Sequence, residues 1–152
     1  MRITSSVEYA TRLMVALSRA FGQTPLSAET LSETENVPVD YVNQILLRLK
    51  RAGLVESHRG IRGGYTLSKR PEQVKLGQVV RAVEGEIFES VCGRYEGGKK
   101  DCHHQGRCGI SPVWRRLGAM IEEYFDGITL DNLMQEQGMP CPVKLEGLFH
   151  ER

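Results

Sequence analysis

The chain has no run of about eighteen apolar residues, so no membrane-spanning helix is expected. Its start, MRITSSVEYATRLM, has no compact apolar stretch followed by a small-residue cleavage site, so a secretory signal is not expected either. These two absences make a cytoplasmic protein the simple reading. No short Cys-x2–4-Cys knuckle occurs, which argues against a structural zinc site. No Gly-Lys-Ser/Thr sequence follows the glycine pair Gly63-Gly64, so a nucleotide-cradling loop is set aside. No nucleophile is paired with a recognisable base, and an enzyme is not expected.

Net charge is also scarce, at +1 over 152 residues, but it is unevenly placed. Residues 1–70 hold ten Lys/Arg against six Asp/Glu, a net of +4; residues 71–152 hold ten against thirteen, a net of −3. The first half suits a polyanion better than the second. Hydrophobic residues make up 40%, enough for one small core with an extension. Cysteine is limited to four residues, Cys92, Cys102, Cys108 and Cys141. In a reducing compartment, three of them within seventeen residues point to metal or cluster ligation rather than to disulfides.

The periodicities give a mainly α fold with a small β-hairpin wing. Val7, Ala10, Leu13, Met14 and Leu17 recur at helical spacing over Ser6–Phe21. Gly22 and Pro25 break the chain, and Ser27 is placed to cap a second short helix. ENVPVD reads as a turn. Val42, Ile45, Leu46 and Leu49 make the inner stripe of a third helix over Val39–Ala52, with Asp40 in its first turn and Arg48, Lys50 and Arg51 in its last. Gly53 ends it. These proportions are those of a helix–turn–helix. Leu54–Glu56 and Tyr65–Leu67 read as two strands around a basic, glycine-rich tip, which makes a wing.

From Pro71 a helix is expected through Leu76, Val79, Val80 and Val83 to Gly85. A polar, glycine-rich loop with the cysteines follows, with almost no apolar side chains to order it. A long helix is expected over Pro112–Asp126, capped by Ser111, and a short one over Leu130–Gln135. Val113, Leu117, Met120, Ile121 and Tyr124, with Trp114 and Phe125 beside them, offer more apolar surface than one small domain hides, and a partner chain would cover it. The expected division is a winged helix–turn–helix over 1–75, a connecting helix and cysteine loop over 76–110, a dimerisation helix region over 111–137, and a mobile tail over 138–152.

In this order, MRITSSVEYATRLMVAL, VPVDYVNQILLRLKRAGLVESHRGIRGGYTLS, VVRAVEG and the cysteine loop resemble the IscR/NsrR family of bacterial winged-helix regulators that bind iron–sulfur clusters. The resemblance covers about residues 1–135. It implies a homodimer whose long C-terminal helices cross, with each helix–turn–helix in a major groove and each wing on the neighbouring backbone or minor groove. It also implies that Cys92, Cys102 and Cys108 are cluster ligands. The C-x9-C spacing is longer than the family's by an apparent GGKK insertion, whereas the C-x5-C spacing is the usual one. The histidine-ligand members carry His where this chain has Ser111. Glu8 lies where the carboxylate-ligand members carry their acid, so Glu8 of the partner subunit is the favoured fourth ligand, with His103 and His104 as rivals. A [4Fe-4S] cluster is favoured over [2Fe-2S], sensing nitric oxide, redox state or iron supply.

The expected DNA contacts are Asp40, Asn43, Gln44 and Arg48 on the third helix, His58, Arg59 and Arg62 on the wing, and Arg2, Thr4 and Ser5 at the N-terminus. Tyr41 fits either the DNA backbone or the core. The operator would be double-stranded and roughly palindromic. Two other readings stay open: a cluster-free regulator responding through a partner protein or cysteine oxidation, and an iron–sulfur electron-transfer protein.

Overall fold

The computed structural model describes residues 3–88 and 108–135. Helix α1 (Ser5–Arg19) opens with Thr4, whose hydroxyl accepts from the Val7 amide, and buries Val7, Ala10, Leu13, Met14 and Leu17 on one face. Helix α2 (Ala28–Glu35) is capped by Ser27, which accepts from the Thr30 amide at 3.1 Å. It stops because Asn36 turns left-handed at φ 52°, a conformation asparagine tolerates. Ser32 then closes the ENVPVD turn by donating to the Val37 carbonyl at 2.6 Å. Helix α3 (Val39–Arg51) starts after Pro38 and buries Val42, Ile45, Leu46 and Leu49. Gly53, at φ +70°, follows its end as the sequence requires.

Strands β1 (Val55–His58) and β2 (Gly64–Leu67) pair antiparallel, Val55 with Leu67 and His58 with Gly64. Leu26 adds an isolated antiparallel bridge to β2 by exchanging backbone hydrogen bonds with Tyr65 at 2.8 and 3.1 Å. The wing root is therefore tied to the entry of α2. Gly64 is required at this point, since a Cβ there would lie 2.5 Å from the Leu26 carbonyl oxygen.

The helix expected from Pro71 does not begin there. Pro71–Gln73 is a single 3₁₀ turn, and Val74 and Lys75 are extended before α4 (Leu76–Glu84) begins. The cause lies far along the chain. The Leu76 amide donates to the Ile128 carbonyl at 2.8 Å, and the Leu130 amide donates to the Val74 carbonyl at 2.9 Å. Extended backbone at Val74–Lys75 is what lets the returning chain pair there.

Helix α5 (Ile110–Asp126) begins two residues before the expected Pro112 and is not capped by Ser111; Gly109 is its N-cap and no side chain closes it. Helix α6 (Leu130–Met134) has a reciprocal cap between Thr129 and Asn132. One core joins α1, α2, α3, β1, β2, α4 and α6 through Leu13, Leu31, Leu46, Val79, Ile128 and Leu130. Each such buried aliphatic side chain contributes about 1.5–3 kcal/mol. Arg12 braces α1 on the end of α2, bonding the Glu35 carboxylate at 2.9 Å and the Glu35 carbonyl at 2.6 Å while lying over the Tyr9 ring. The tail from 138, Cys141 included, lies outside the described residues.

Candidate nucleic-acid interface and cluster-binding face

Helical geometry sorts α3 into two faces. Val42, Ile45, Leu46 and Leu49 are buried, which turns Asp40, Asn43 and Gln44 outward, all exposed near the N-terminal end where a recognition helix reads bases. Leu47 and Arg51 continue this outward face at the same spacing, and Leu47 is 48% exposed. The sequence reading missed both. Their signal was the three- and four-residue offset from Asn43, Gln44 and Leu47, masked for Leu47 by its apolar character.

Between α3 and the wing lies a cleft of about 400 Å³, bordered by Ser27 and Glu29 of α2's entry, Asn43 of α3, and Ser57, His58, Ile61 and Tyr65 of the wing. Lys50 fixes the spacing by donating to Ser57 Oγ at 2.6 Å. His58 shares a hydrogen bond with Thr66 across the hairpin at 2.9 Å. Arg59 and Arg62 are exposed at the tip and form no ion pair among the described residues. Glu29 stays anionic, its carboxyl held below the usual range by its own backbone amide and the Ser27 hydroxyl.

Besides His58, the expected contacts Arg48 and Thr4 already have partners within the chain, as does Tyr41. Arg48 donates to the Val83 carbonyl at 2.9 Å, so that part of its fork faces α4. The Thr4 hydroxyl donates a hydrogen bond to the Glu84 carboxylate, and donation to a phosphate there needs that bond to open. Tyr41 is half-buried, sharing a 2.6 Å hydrogen bond with Ser6 and stacking edge-on against Tyr9 at 5.7 Å, which places it in the α1–α3 joint. Ser5 is exposed in α1's first turn, and Arg2 lies outside the described residues.

Of the cluster ligands, Cys92, Cys102, His103 and His104 lie outside the described residues. Cys108 sits just before α5. The backbone amides of Ser111 and Ile110 point at its sulfur and lower the thiol's pKa, favouring the thiolate that ligates iron. Glu8 is exposed in the first turn of α1, and its carboxylate has no hydrogen-bond or ion-pair partner among the described residues. Among those residues no three His, Cys, Asp or Glu side chains converge, and Glu8 and Cys108 of one chain make no such set.

Helix α5 leaves an apolar stripe uncovered. Ile110, Val113, Trp114 and Leu117 are exposed at i, i+3, i+4 and i+7, with Ile110 and Val113 at 59%. Its one buried residue is Gly118, where the Phe88 ring packs so closely that a Cβ would lie 2.8 Å from it. No helix among the described residues is long and apolar enough to cross a membrane.

Comparison with known proteins agrees with this geometry. The Rrf2 family, described as an iron-dependent transcriptional regulator, matches residues 3–136. The HTH-type transcriptional regulator IscR of Aliivibrio salmonicida is 33% identical over 134 residues, covering 88% of this chain and 77% of the relative. Two solved structures share the fold. CymR, titled the global cysteine regulator of B. subtilis, has a TM-score of 0.73 at 27% identity and covers 88% of this chain and 96% of its own. IscR of T. potens has a TM-score of 0.69 at 29% identity and covers 88% and 86%. An outward polar recognition helix, a basic wing, a long helix with an uncovered apolar stripe and a family match along most of the chain lead to one conclusion: this protein belongs to the Rrf2/IscR family of winged-helix, DNA-binding transcription regulators, which are not enzymes.

Proposed function

We propose that this regulator works as a homodimer whose operator affinity is set by an iron–sulfur cluster, [4Fe-4S] rather than [2Fe-2S], held by Cys92, Cys102 and Cys108 with Glu8 of the partner subunit. The observation that carries the reading is Cys108: the Ser111 and Ile110 amides favour its thiolate at the start of the helix that presents the apolar stripe. Three thiolates and one carboxylate suit iron, the thiolates as soft donors and the carboxylate as the harder, weaker one. Glu8 is exposed on α1 and its carboxylate has no partner among the described residues, which suits a ligand that reaches another chain. When bound, the cluster supplies an iron centre responsive to nitric oxide, redox state or iron supply.

The protein's own part is positional. The stripe Ile110–Val113–Trp114–Leu117 meets its copy, burying surface that water now covers. Dimerisation sets two α3 helices against a roughly palindromic duplex, with half-sites one helical turn or more apart. Asp40, Asn43 and Gln44 face base edges, while His58, Arg59 and Arg62 face phosphates and the adjoining minor groove. Arg2, Thr4 and Ser5 at the N-terminus are the further candidates for phosphate contacts. A Glu8 ligand would join the cluster segment of one subunit to the reading head of the other, so that loss of the ligand set changes how the heads sit.

The test is iron and acid-labile sulfide per monomer on protein purified without oxygen, with the absorption spectrum, for the wild type, Glu8→Ala and Cys102→Ala. About four of each per monomer supports the four-iron reading, and about two of each the two-iron form. Loss of cluster in Glu8→Ala supports the cross-subunit ligand, and retention there with loss in a His103→Ala, His104→Ala double variant moves the role to the histidines. One second reading is a cluster-free regulator responding through a partner protein or cysteine oxidation, and the likeness to a CymR structure titled an oxidized form speaks for the oxidation arm. Absence of iron and sulfide, with operator affinity changed by a thiol oxidant, selects it.

A further inference from the structure

Ile61 stands at the wing tip with its side chain wholly in solvent, at 108% relative exposure. The tip is stiff. The Gly63 amide donates to the Gly60 carbonyl at 2.9 Å, and Gly60 takes φ +112°. A Cβ on Gly63 would lie 2.4 Å from the His58 carbonyl oxygen, so the turn is closed against any bulk on its inner side. The side chain of Ile61 is thus held away from the core and touches none of it. Arg59 and Arg62, exposed and without ion pairs among the described residues, flank it two positions before and one after. Ile61 also borders the cleft that Asn43 of α3 shares, so the wing tip lies beside whatever duplex α3 enters.

An apolar tip between two exposed arginines matches one surface well, the minor groove of a duplex. There phosphates line both rims, and the deoxyribose edges below them make apolar walls. Apolar side chains are used in that groove as wedges, and narrow A·T-rich grooves attract arginine. We propose that Ile61 is a specificity-determining residue: its side chain packs into the minor groove at an A·T pair while Arg59 and Arg62 hold the two rims. The inference rests on the reading of the wing as a DNA-contacting element and deepens it.

The chemistry sets the preference. A·T and T·A present only the adenine N3 and thymine O2 acceptors in this groove, whereas G·C adds the guanine 2-amino group. That amino group projects into the space an isoleucine side chain would occupy, and the side chain offers it no acceptor. G·C is therefore rejected by crowding and by an unsatisfied donor. An uncharged side chain displaces no condensed counterion, so its contribution leaves the salt dependence of binding untouched, unlike that of Arg59.

The probe is the tightest duplex that full-length wild-type protein selects from a randomised pool, with the wing position located by hydroxyl-radical footprinting. Its A·T pairs there are replaced by G·C, and separately by inosine·C, which lacks the 2-amino group. For the wild type, G·C is expected to weaken binding about tenfold, and inosine·C to restore it. Ile61→Ala is expected to bind the A·T duplex about five- to tenfold more weakly, to distinguish A·T from G·C less than twofold, and to keep the wild-type salt slope. Arg59→Ala is expected to lower that slope by about one.

Because Ile61 touches no core residue, circular dichroism of Ile61→Ala should match the wild type. Full discrimination retained by Ile61→Ala overturns the proposal, whether or not affinity falls. So does unchanged affinity with Ile61→Ala disrupting self-association instead, which would make the tip a contact between copies. A wild-type protein that selects no duplex overturns the wing's DNA role, and this inference with it.

Discussion

The Arg48 guanidinium donates a hydrogen bond to the main-chain carbonyl of Val83 at 2.9 Å, fastening the recognition helix α3 to the last turn of α4. The next residue, Glu84, accepts the Thr4 hydroxyl at the head of α1. The end of α4 is therefore held by the helix that faces DNA and by the helix that carries Glu8, immediately before the segment bearing Cys92 and Cys102.

Arg48→Ala removes this strut. A hydrogen bond to a charged donor contributes about 1.5–3 kcal/mol, discounted here because Arg48 is exposed, so a loss of about 1 kcal/mol and a fall in Tm of about 2–4 °C are expected by calorimetry. The ratio of operator affinities between iron-loaded and iron-free protein should also shrink, with Arg48→Lys intermediate. An equal loss of affinity in both states would instead make Arg48 a plain phosphate contact.

Gly64→Ala should destabilise the fold by about 1–3 kcal/mol in urea titration. The added methyl would meet the Leu26 carbonyl carbon and oxygen at 2.6 and 2.5 Å, both of them backbone atoms that cannot swing aside. The Leu26–Tyr65 bridge would open, and operator affinity would fall with it.

Val113→Asp or Leu117→Asp places charge on a face that the single chain leaves exposed, so the protomer should stay folded. Sedimentation equilibrium is expected to give 17.1 kDa rather than twice that mass. Operator affinity should drop about a hundredfold or more, because two linked reading heads become two independent ones. A variant that remains dimeric would remove the stripe from the interface.

Cys108 should react as a thiolate at lower pH than an ordinary cysteine. Its folded pKa is depressed by the Ser111 and Ile110 amides, so the thiolate persists as pH falls through the usual thiol range and is lost only below the folded pKa. Alkylation by iodoacetamide, followed against pH on cluster-free protein with Cys92, Cys102 and Cys141 replaced by Ala, should inflect lower than in the same chain unfolded in urea. Coincident inflections would contradict the helix-terminus effect.

What was legible in the sequence was what neighbouring residues decide among themselves. Ser27 capping α2, Gly53 closing α3, the buried stripes of α1 and α3, and the glycine-rich wing between two short strands all follow from spacings of a few residues. The outward placement of Asp40, Asn43 and Gln44 was legible for the same reason, because burial of Val42, Ile45 and Leu46 leaves a helix no other way to face. The family, too, was legible in RAGLVES and GGY.

Tertiary structure decided the rest, through partners that local pattern cannot name. Pro71 suits the start of an α-helix as well as it suits a 3₁₀ turn; the extended backbone at Val74–Lys75 exists because Ile128 and Leu130 return to bond there. The sequence leaves Arg48 a free cation and Thr4 a hydroxyl open to a phosphate, whereas the fold brings Val83 to Arg48 and Glu84, 80 positions on, to accept the Thr4 hydrogen bond. Ile61 and Leu47 look like core residues in composition and are exposed in the fold. Caps and periodicity act over one or two turns of chain, whereas a hydrogen-bonding group or an apolar side chain takes whatever partner the folded chain delivers, and that delivery is a property of the whole packing.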